Sequence, residues 1–156
     1  MKGDPQVIRH LNSILTSKLT AINQYFLQSR MLKNMGLLNL AQHLDGEATS
    51  KMNQADRLVE RILFLEGTPN LQDLERINAG DDVPAMINLD MDSEERGRNT
   101  VLEAVKYCEE VRDFVSRELL TGILNETENN IDWLTYQLRL IDGVGAENYK
   151  QEQMFE

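Results

Sequence analysis

Apolar residues that recur with the period of an α-helix constrain this chain more than any other feature. Four long segments carry this pattern, and turn-forming residues separate them. We predict helices over Pro5–Met35, Leu38–Glu66, Val83–Val111 and Asp113–Gly143, and one short helix in the tail that begins at Ala146. The stretch between the second and third helices has turn residues and weak periodicity, so we interpret it as a long connection.

The two halves of the chain repeat the same apolar pattern at an offset of 76 residues. Leu58 corresponds to Leu134, and the turn at Gly36 corresponds to Arg112. Such a repeat indicates two related helical hairpins, which a long connection can join across a four-helix bundle. The predicted fold is therefore an all-α, ferritin-like four-helix bundle, with a long crossover between helices two and three and a short C-terminal fifth helix.

Size and composition exclude several classes of protein. We expect residues 1–156 to form a single domain, because a chain of this length can bury one core. The net charge of −10 argues against binding to nucleic acid, and no apolar stretch is long enough to cross a membrane. A single cysteine, Cys108, and the lack of a signal-peptide pattern predict a cytoplasmic location. A cytokine-type bundle fits less well, because it needs two long crossovers.

Six polar residues interrupt the inward-facing apolar stripes at one height in the predicted bundle. They are Lys18, Lys51, Gln54, Glu94, Thr127 and Asn130. Each lies 15 or 18 residues from the turn of its own hairpin, so antiparallel packing places all six at one level. Burying ammonium and carboxylate groups costs several kcal/mol per ion unless they pair. The simpler alternative is an error in the phase of the stripes, which would leave these residues partly exposed.

The same spacing is typical of carboxylate-bridged di-iron centres in helical bundles, which use single glutamates and Glu-x-x-His motifs. In this chain only Glu94 offers a carboxylate at one of the six positions. A protonated lysine has no lone pair for a metal, amides are weak iron ligands, and two lysines repel Fe²⁺. The spacing therefore fits a di-iron centre, but the side chains do not.

The chain resembles bacterioferritin along its whole length. The resemblance is carried by the segments MKGDPQVIRHLN, AINQYFLQSRMLKN, ADRLVERILFLEGTPNLQDL, DFVSREL, IDWLTYQL and ENYKQ. It implies a hollow cage of twenty-four subunits that oxidises Fe²⁺ and stores iron as a ferric mineral. It also implies that the di-iron ligand positions of the family fall on the six polar residues, of which only Glu94 keeps the residue type of the family.

We therefore expect no di-iron centre in this subunit. The ammonium groups of Lys18 and Lys51 would replace the metal charge, with Glu94 as a bridge between them. Hydrogen bonds from Gln54, Thr127 and Asn130 would complete this polar layer. Tyr25 lies beside the layer, and we expect it to be a core residue that is hydrogen-bonded to Lys51 or Glu94.

Met52 follows Lys51 on the same helix and is rotated from it by about 100° around the helix axis. If Lys51 points into the bundle, Met52 points outward, together with Ala48 and Ala55. From the residues alone, such a methionine indicates a contact between helices or subunits. The resemblance implies instead that Met52 from each of two subunits binds a shared haem of b type as axial ligand. The haem would carry electrons from a small ferredoxin to the stored iron and release it.

The predicted function is that of a haem-binding subunit of an iron-storage cage without a working ferroxidase centre. The cage would be homomeric or mixed, and we favour co-assembly with a ferroxidase-competent bacterioferritin subunit. Whether the subunit is an enzyme stays open, because a rearranged site around Glu94, with Glu126 or Glu128, could still oxidise Fe(II) to Fe(III). A third alternative is a structural bundle that binds neither haem nor iron. We predict both histidines, His10 and His43, to lie on the surface, and Trp133 to be a packing residue.

Overall fold

The computed structural model describes residues 1–155, which form an all-α bundle. Its helices are α1 (Pro5–Asn34), α2 (Leu38–Phe64), α3 (Val83–Glu110), α4 (Phe114–Val144) and α5 (Ala146–Glu152). The ends of the four long helices lie within two residues of the predicted ends. The predicted fold class is confirmed, including the long connection between α2 and α3 and the short fifth helix.

Aspartate side chains begin three of the four long helices. The Asp4 carboxylate accepts hydrogen bonds from the backbone N–H groups of Gln6, at 2.7 Å, and Val7, at 3.2 Å. Asp82 and Asp113 cap α3 and α4 in the same way. These caps satisfy backbone donors that the first turn of a helix leaves free, and each stabilises its helix by about 1 kcal/mol.

The two hairpin turns share one backbone conformation. Gly36 has φ of +80°, and Arg112, which lies 76 residues further along, has φ of +65°. Glycine adopts this left-handed conformation freely, whereas a residue with a Cβ atom does so at a steric cost. The shared geometry agrees with the interpretation of the chain as two related hairpins.

The core is divided into two apolar clusters. One cluster is centred on Leu11, Leu58 and Leu120, and the other on Leu32 and Leu134. On every long helix, the residues of the two clusters are separated by a gap in the apolar sequence. The six polar residues lie in these gaps, so they form a layer between the two apolar clusters of the bundle.

The crossover, residues 65–82, runs along α1 and is held there by polar side chains. Asn12, Thr20 and Gln28, which follow one another at intervals of eight residues on α1, each hydrogen-bond to the crossover backbone. Within residues 1–155, no helix is both long enough and apolar enough to span a membrane.

Candidate functional site at the bundle centre

All six residues of the polar layer are inside the protein. Their exposed fractions are Lys18 3%, Lys51 1%, Gln54 0%, Glu94 4%, Thr127 0% and Asn130 3%. The alternative in which these side chains partly face solvent is therefore wrong. Helix packing has placed two lysines and a glutamate where a bundle of this size normally has only apolar contacts.

Glu94 is the centre of a hydrogen-bonded group that joins the four long helices. The Lys51 ammonium group lies 2.9 Å from Oε1 and 3.1 Å from Oε2 of Glu94. The Tyr25 hydroxyl donates to Oε1 of Glu94 at 2.9 Å. Glu94 is one of the two partners that we expected for Tyr25. In turn, Asn130 Nδ2 donates to the Tyr25 hydroxyl oxygen at 2.8 Å. One side chain from each of α1, α2, α3 and α4 thus takes part.

Lys18 does not join this group, contrary to the expectation that Glu94 bridges both lysines. Both oxygens of Glu94 contact Lys51, and Oε1 also accepts a hydrogen bond from the Tyr25 hydroxyl, whereas Lys18 forms no ion pair with a carboxylate of residues 1–155. The pKa of Lys18 is lowered to about 8, mainly by burial and in addition by the positive charge of Lys51. Lys18 is therefore a buried amine that is only partly charged in mildly alkaline solution.

Gln54 and Thr127 also differ from the expected network. The Thr127 hydroxyl donates to the backbone oxygen of Ile123, one turn earlier on α4, at 2.9 Å. Both polar atoms of the Gln54 amide are buried without a hydrogen-bond partner among residues 1–155, and so is the amide oxygen of Asn130. A buried amide left in this state costs about 1–3 kcal/mol, so the layer is not optimised for stability alone.

The donor set of the layer does not fit a di-iron centre. Such a centre is built from glutamates and histidines, whereas this layer offers one carboxylate that is already bound to an ammonium group. In the part of the chain that the structure describes, no three His, Cys, Asp or Glu residues are arranged to hold a metal ion. Glu126 and Glu128, the candidates for a rearranged site, pair instead with Arg57 and Arg98, at 2.6 Å and 2.9 Å.

A second buried polar group, which sequence reasoning missed, lies one turn from Glu94 on α3. Asp90 is 1% exposed and accepts a hydrogen bond from Gln24 Nε2 at 2.8 Å. Its other oxygen and the Gln28 amide oxygen are both buried without a partner within residues 1–155. Burial raises the pKa of Asp90 to about 7, and the charge of Glu94 acts in the same direction. The spacing of four residues between the two acids was the available sequence signal.

Met52 lies on the outer face of α2, as predicted. Its side chain is 53% exposed, whereas Lys51 beside it is 1% exposed. Ala55, which we expected on the same outer face, is 4% exposed and packs in the core. The outer face is therefore narrower than predicted, but the Met52 side chain is accessible.

An apolar row on α1 begins at the height of Met52 in the same hairpin. The side chains that share one side of α1 are Leu19, Ile22 and Phe26. Counted in residues from the turn at Gly36, Leu19 and Met52 are equally far away to within one residue. Phe26 is 53% exposed, and the Arg30 guanidinium lies over its ring, 4.5 Å from the ring centroid. A thioether is a soft ligand that haem iron accepts, so the Met52 side chain is chemically suited to hold a porphyrin iron.

Both histidines, predicted at the surface, are only partly exposed. His43 is partly buried, because its ring stacks on Trp133 with the ring centroids 3.5 Å apart and an interplanar angle of 10°. Burial lowers the pKa of His43. Trp133 is a packing residue, as expected, and His10 is partly exposed beside Tyr107, with ring centroids 5.4 Å apart.

Comparison with known families defines the class of protein to which this fold and this polar centre belong. Residues 8–144 match the ferritin-like domain family. This span includes the four long helices almost completely and all six residues of the polar layer. The class is therefore that of the ferritin-like proteins.

Similarity to individual proteins narrows the class. The chain is 42% identical over 155 residues to the bacterial ferritin of Synechocystis sp., covering 99% of both chains. It is 41% identical over 155 residues to the bacterial ferritin of Pseudomonas aeruginosa, covering 99% of this chain and 100% of that protein. It is 38% identical over 151 residues to the bacterioferritin of Brucella melitensis, covering 97% and 94%. The chain belongs to the bacterioferritin family.

Proposed function

We propose that this chain is a haem-binding subunit of a cytoplasmic iron-storage cage and that its own ferroxidase centre has been lost. Membership of the bacterioferritin family supports iron storage and assembly into a cage, for which we propose twenty-four subunits. The single observation that carries the loss is the contact of the Lys51 ammonium group with both oxygens of Glu94. The only carboxylate at a di-iron ligand position is thereby occupied.

Electrostatics supports this loss. A ferrous ion entering the layer would have to displace Lys51 from Glu94 and would then face the ammonium groups of Lys51 and Lys18. Two like unit charges about 4 Å apart repel by about 4 kcal/mol at an effective dielectric constant near ~20, and Fe²⁺ carries twice the unit charge. The buried lysines thus oppose the binding of the substrate ion.

For the haem, we propose that Met52 of two subunits would hold one shared haem through their thioether groups. The exposed side chain of Met52 and the apolar row of Leu19, Ile22 and Phe26 on α1 support this role. A haem of b type held in this way supplies one-electron transfer, and two protein ligands leave no open position for O₂. We propose a small ferredoxin as the electron donor for iron release.

We further propose that the subunit co-assembles with a ferroxidase-competent bacterioferritin subunit. A cage without any oxidation site would fill slowly, whereas a mixed cage divides the tasks. The partner would oxidise incoming iron, and this subunit would contribute haem, cage wall and the route for electrons.

The haem proposal is tested by a visible spectrum of freshly purified protein. We expect a haem Soret band that Met52→Leu abolishes and that Met35→Leu leaves intact. Met35 is a suitable control, because it is also an exposed methionine, at 42%, at the end of α1. A Soret band of normal intensity in Met52→Leu would show that Met52 does not bind the haem.

The ferroxidase proposal is tested by adding Fe²⁺ without oxygen and then admitting O₂. The chain produced alone should show no fast ferric absorbance. A rapid burst in proportion to the number of subunits would instead support the rearranged enzyme site around Glu94.

Mass spectrometry of the protein isolated from its natural source tests the proposed co-assembly. It should detect a second bacterioferritin subunit, and a strictly homomeric cage would contradict co-assembly.

A further inference from the structure

A polar cavity lies between α1 and α3, where the crossover covers both helices. Its volume is about 400 Å³, and none of its twelve lining residues has an apolar side chain. Half of them carry hydroxyl groups: Ser13, Thr16, Ser17, Thr20, Ser93 and Thr100. The seam between two packed helices is normally apolar, so a wholly polar cavity of this size requires polar contents.

The walls of this cavity are formed by two helices and the crossover. At Gly97 on α3, a Cβ atom would lie 3.8 Å from the Ser17 hydroxyl oxygen on α1, which is ordinary van der Waals contact. The crossover is anchored above it, because the backbone N–H of Glu75 donates to the Thr20 hydroxyl oxygen at 2.9 Å. The Thr20 hydroxyl itself donates to the backbone oxygen of Thr16 at 2.8 Å. Helices and crossover therefore hold the cavity open without contribution from a ligand.

Two arginines, Arg76 and Arg96, are among the residues that line the cavity. Arg76 enters from the crossover and Arg96 from α3, and neither guanidinium is in an ion pair with a carboxylate of residues 1–155. Arg98, on the same helix as Arg96, is by contrast paired with Glu128 at 2.9 Å. Asp73 and Glu75 line the same cavity, yet neither forms an ion pair with Arg76 or Arg96 within residues 1–155, so both exposed guanidiniums are available to an external anion. The planar fork of arginine matches the oxygens of a phosphoryl group.

Two carboxylates complete the lining and restrict the ligand further. Asp73 and Glu75 both come from the crossover. They repel a bare oxyanion but accept hydrogen bonds from hydroxyl groups. No aromatic side chain lines the cavity, so it lacks a platform on which a nucleobase could stack.

We propose that this cavity binds a phosphorylated small polyol, with its phosphoryl group on Arg76 and Arg96 and its hydroxyl groups on Asp73 and Glu75. The serine and threonine hydroxyls contact the remaining oxygens, as donors or acceptors. The proposal is independent of haem and iron, because no residue of the cavity belongs to the polar layer or to the apolar row on α1.

Titration calorimetry on the assembled protein at low salt tests this proposal. The probes are glucose 6-phosphate, inorganic phosphate and glucose. We expect saturable binding of glucose 6-phosphate, weaker binding of inorganic phosphate and no binding of glucose. Arg76→Gln and Arg96→Gln should each weaken the binding of glucose 6-phosphate by about tenfold or more. Arg139→Gln removes the same charge from α4, outside the cavity, and should leave the binding unchanged.

A third variant separates the two halves of the proposal. Glu75→Ala should weaken the binding of glucose 6-phosphate, because a hydroxyl acceptor is lost, and should tighten the binding of inorganic phosphate, because a repelling charge is lost. Circular dichroism and gel filtration establish that each variant is folded and assembled. The proposal is overturned by the absence of saturable binding, by an equal loss in Arg139→Gln, or by inorganic phosphate binding as tightly as the ester.

Discussion

The Lys51 ammonium group lies against both carboxylate oxygens of Glu94, at 2.9 Å and 3.1 Å, with both side chains buried in the centre of the bundle. The two residues belong to different hairpins, since Lys51 is on α2 and Glu94 on α3. A buried ion pair contributes little net stability, because both charges leave water. If either partner is removed, however, the other is left as an unpaired buried charge, and the resulting loss of stability can be measured.

Removal of one partner should destabilise the protein strongly. We expect Glu94→Met to lower the free energy of unfolding by about 3–5 kcal/mol, because Lys51 becomes an uncompensated buried charge. The double variant Lys51→Met/Glu94→Met should regain most of this loss. Chemical denaturation measures both effects. Glu128→Met, which breaks the exposed pair with Arg98, is the control and should cost less than about 1 kcal/mol.

The pH dependence of stability should reveal Lys18. Its pKa is about 8 in the folded protein, below the usual 10.5, mainly because of burial. Between these values the unfolded chain binds more protons than the folded one, so the free energy of unfolding rises with pH across this window. Lys18→Met removes the penalty and should be more stable than the parent by up to about 3 kcal/mol near pH ~7.

This advantage of Lys18→Met should shrink toward pH ~10.5, where the parent no longer holds a buried charge. Chemical denaturation at several pH values follows the difference. Lys106→Met, which removes an exposed lysine on α3, controls for the loss of one positive charge. A stability difference for Lys18→Met that stayed constant with pH would show that Lys18 does not titrate in this way.

Asp90 should produce a pH dependence of the opposite sign. Its pKa is about 7 in the folded protein, above the usual 3.8, mainly because of burial. The folded protein therefore binds more protons in this window, and its stability falls as pH rises toward ~7. Asp90→Asn keeps the hydrogen bond from Gln24 and adds a donor that can serve the Gln28 amide oxygen.

The stability gain of Asp90→Asn should therefore increase by about 3 kcal/mol from pH ~5 to pH ~8. Asp92→Asn, an exposed position two residues further along α3, is the matched control. Thermal or chemical unfolding at the two pH values measures the gain. Equal gains at both values would contradict the assignment of a protonated Asp90.

Restoration of the ligand set should restore iron chemistry. The combined variant carries Lys18→Glu, Lys51→Glu, Gln54→His, Thr127→Glu and Asn130→His. It supplies the glutamates and Glu-x-x-His motifs of a di-iron centre at the positions that are already buried at one level. We expect fast ferric absorbance after Fe²⁺ and O₂, and no such phase when Glu94→Ala is added. A folded, assembled variant without oxidation would mean that the backbone positions have also diverged.

The fold could be predicted because its signals are local. The spacing of apolar residues and the turn at Gly36 each depend on a few neighbouring residues, and long helices average out small errors. The level of the polar layer was also predictable. Two straight antiparallel helices keep their register, so counting residues from the turn locates Lys18 opposite Gln54.

The sequence by itself therefore determined the helices, their order, the buried polar layer and the outward direction of Met52. Only the tertiary structure decided that Lys51 and not Lys18 pairs with Glu94, that Tyr25 shares this carboxylate, and that Asp90 forms a second buried group. The reason is one of scale. Helical periodicity assigns a side chain to a face several ångströms wide, whereas a hydrogen bond requires two atoms about 3 Å apart, which depends on the packing of all four helices.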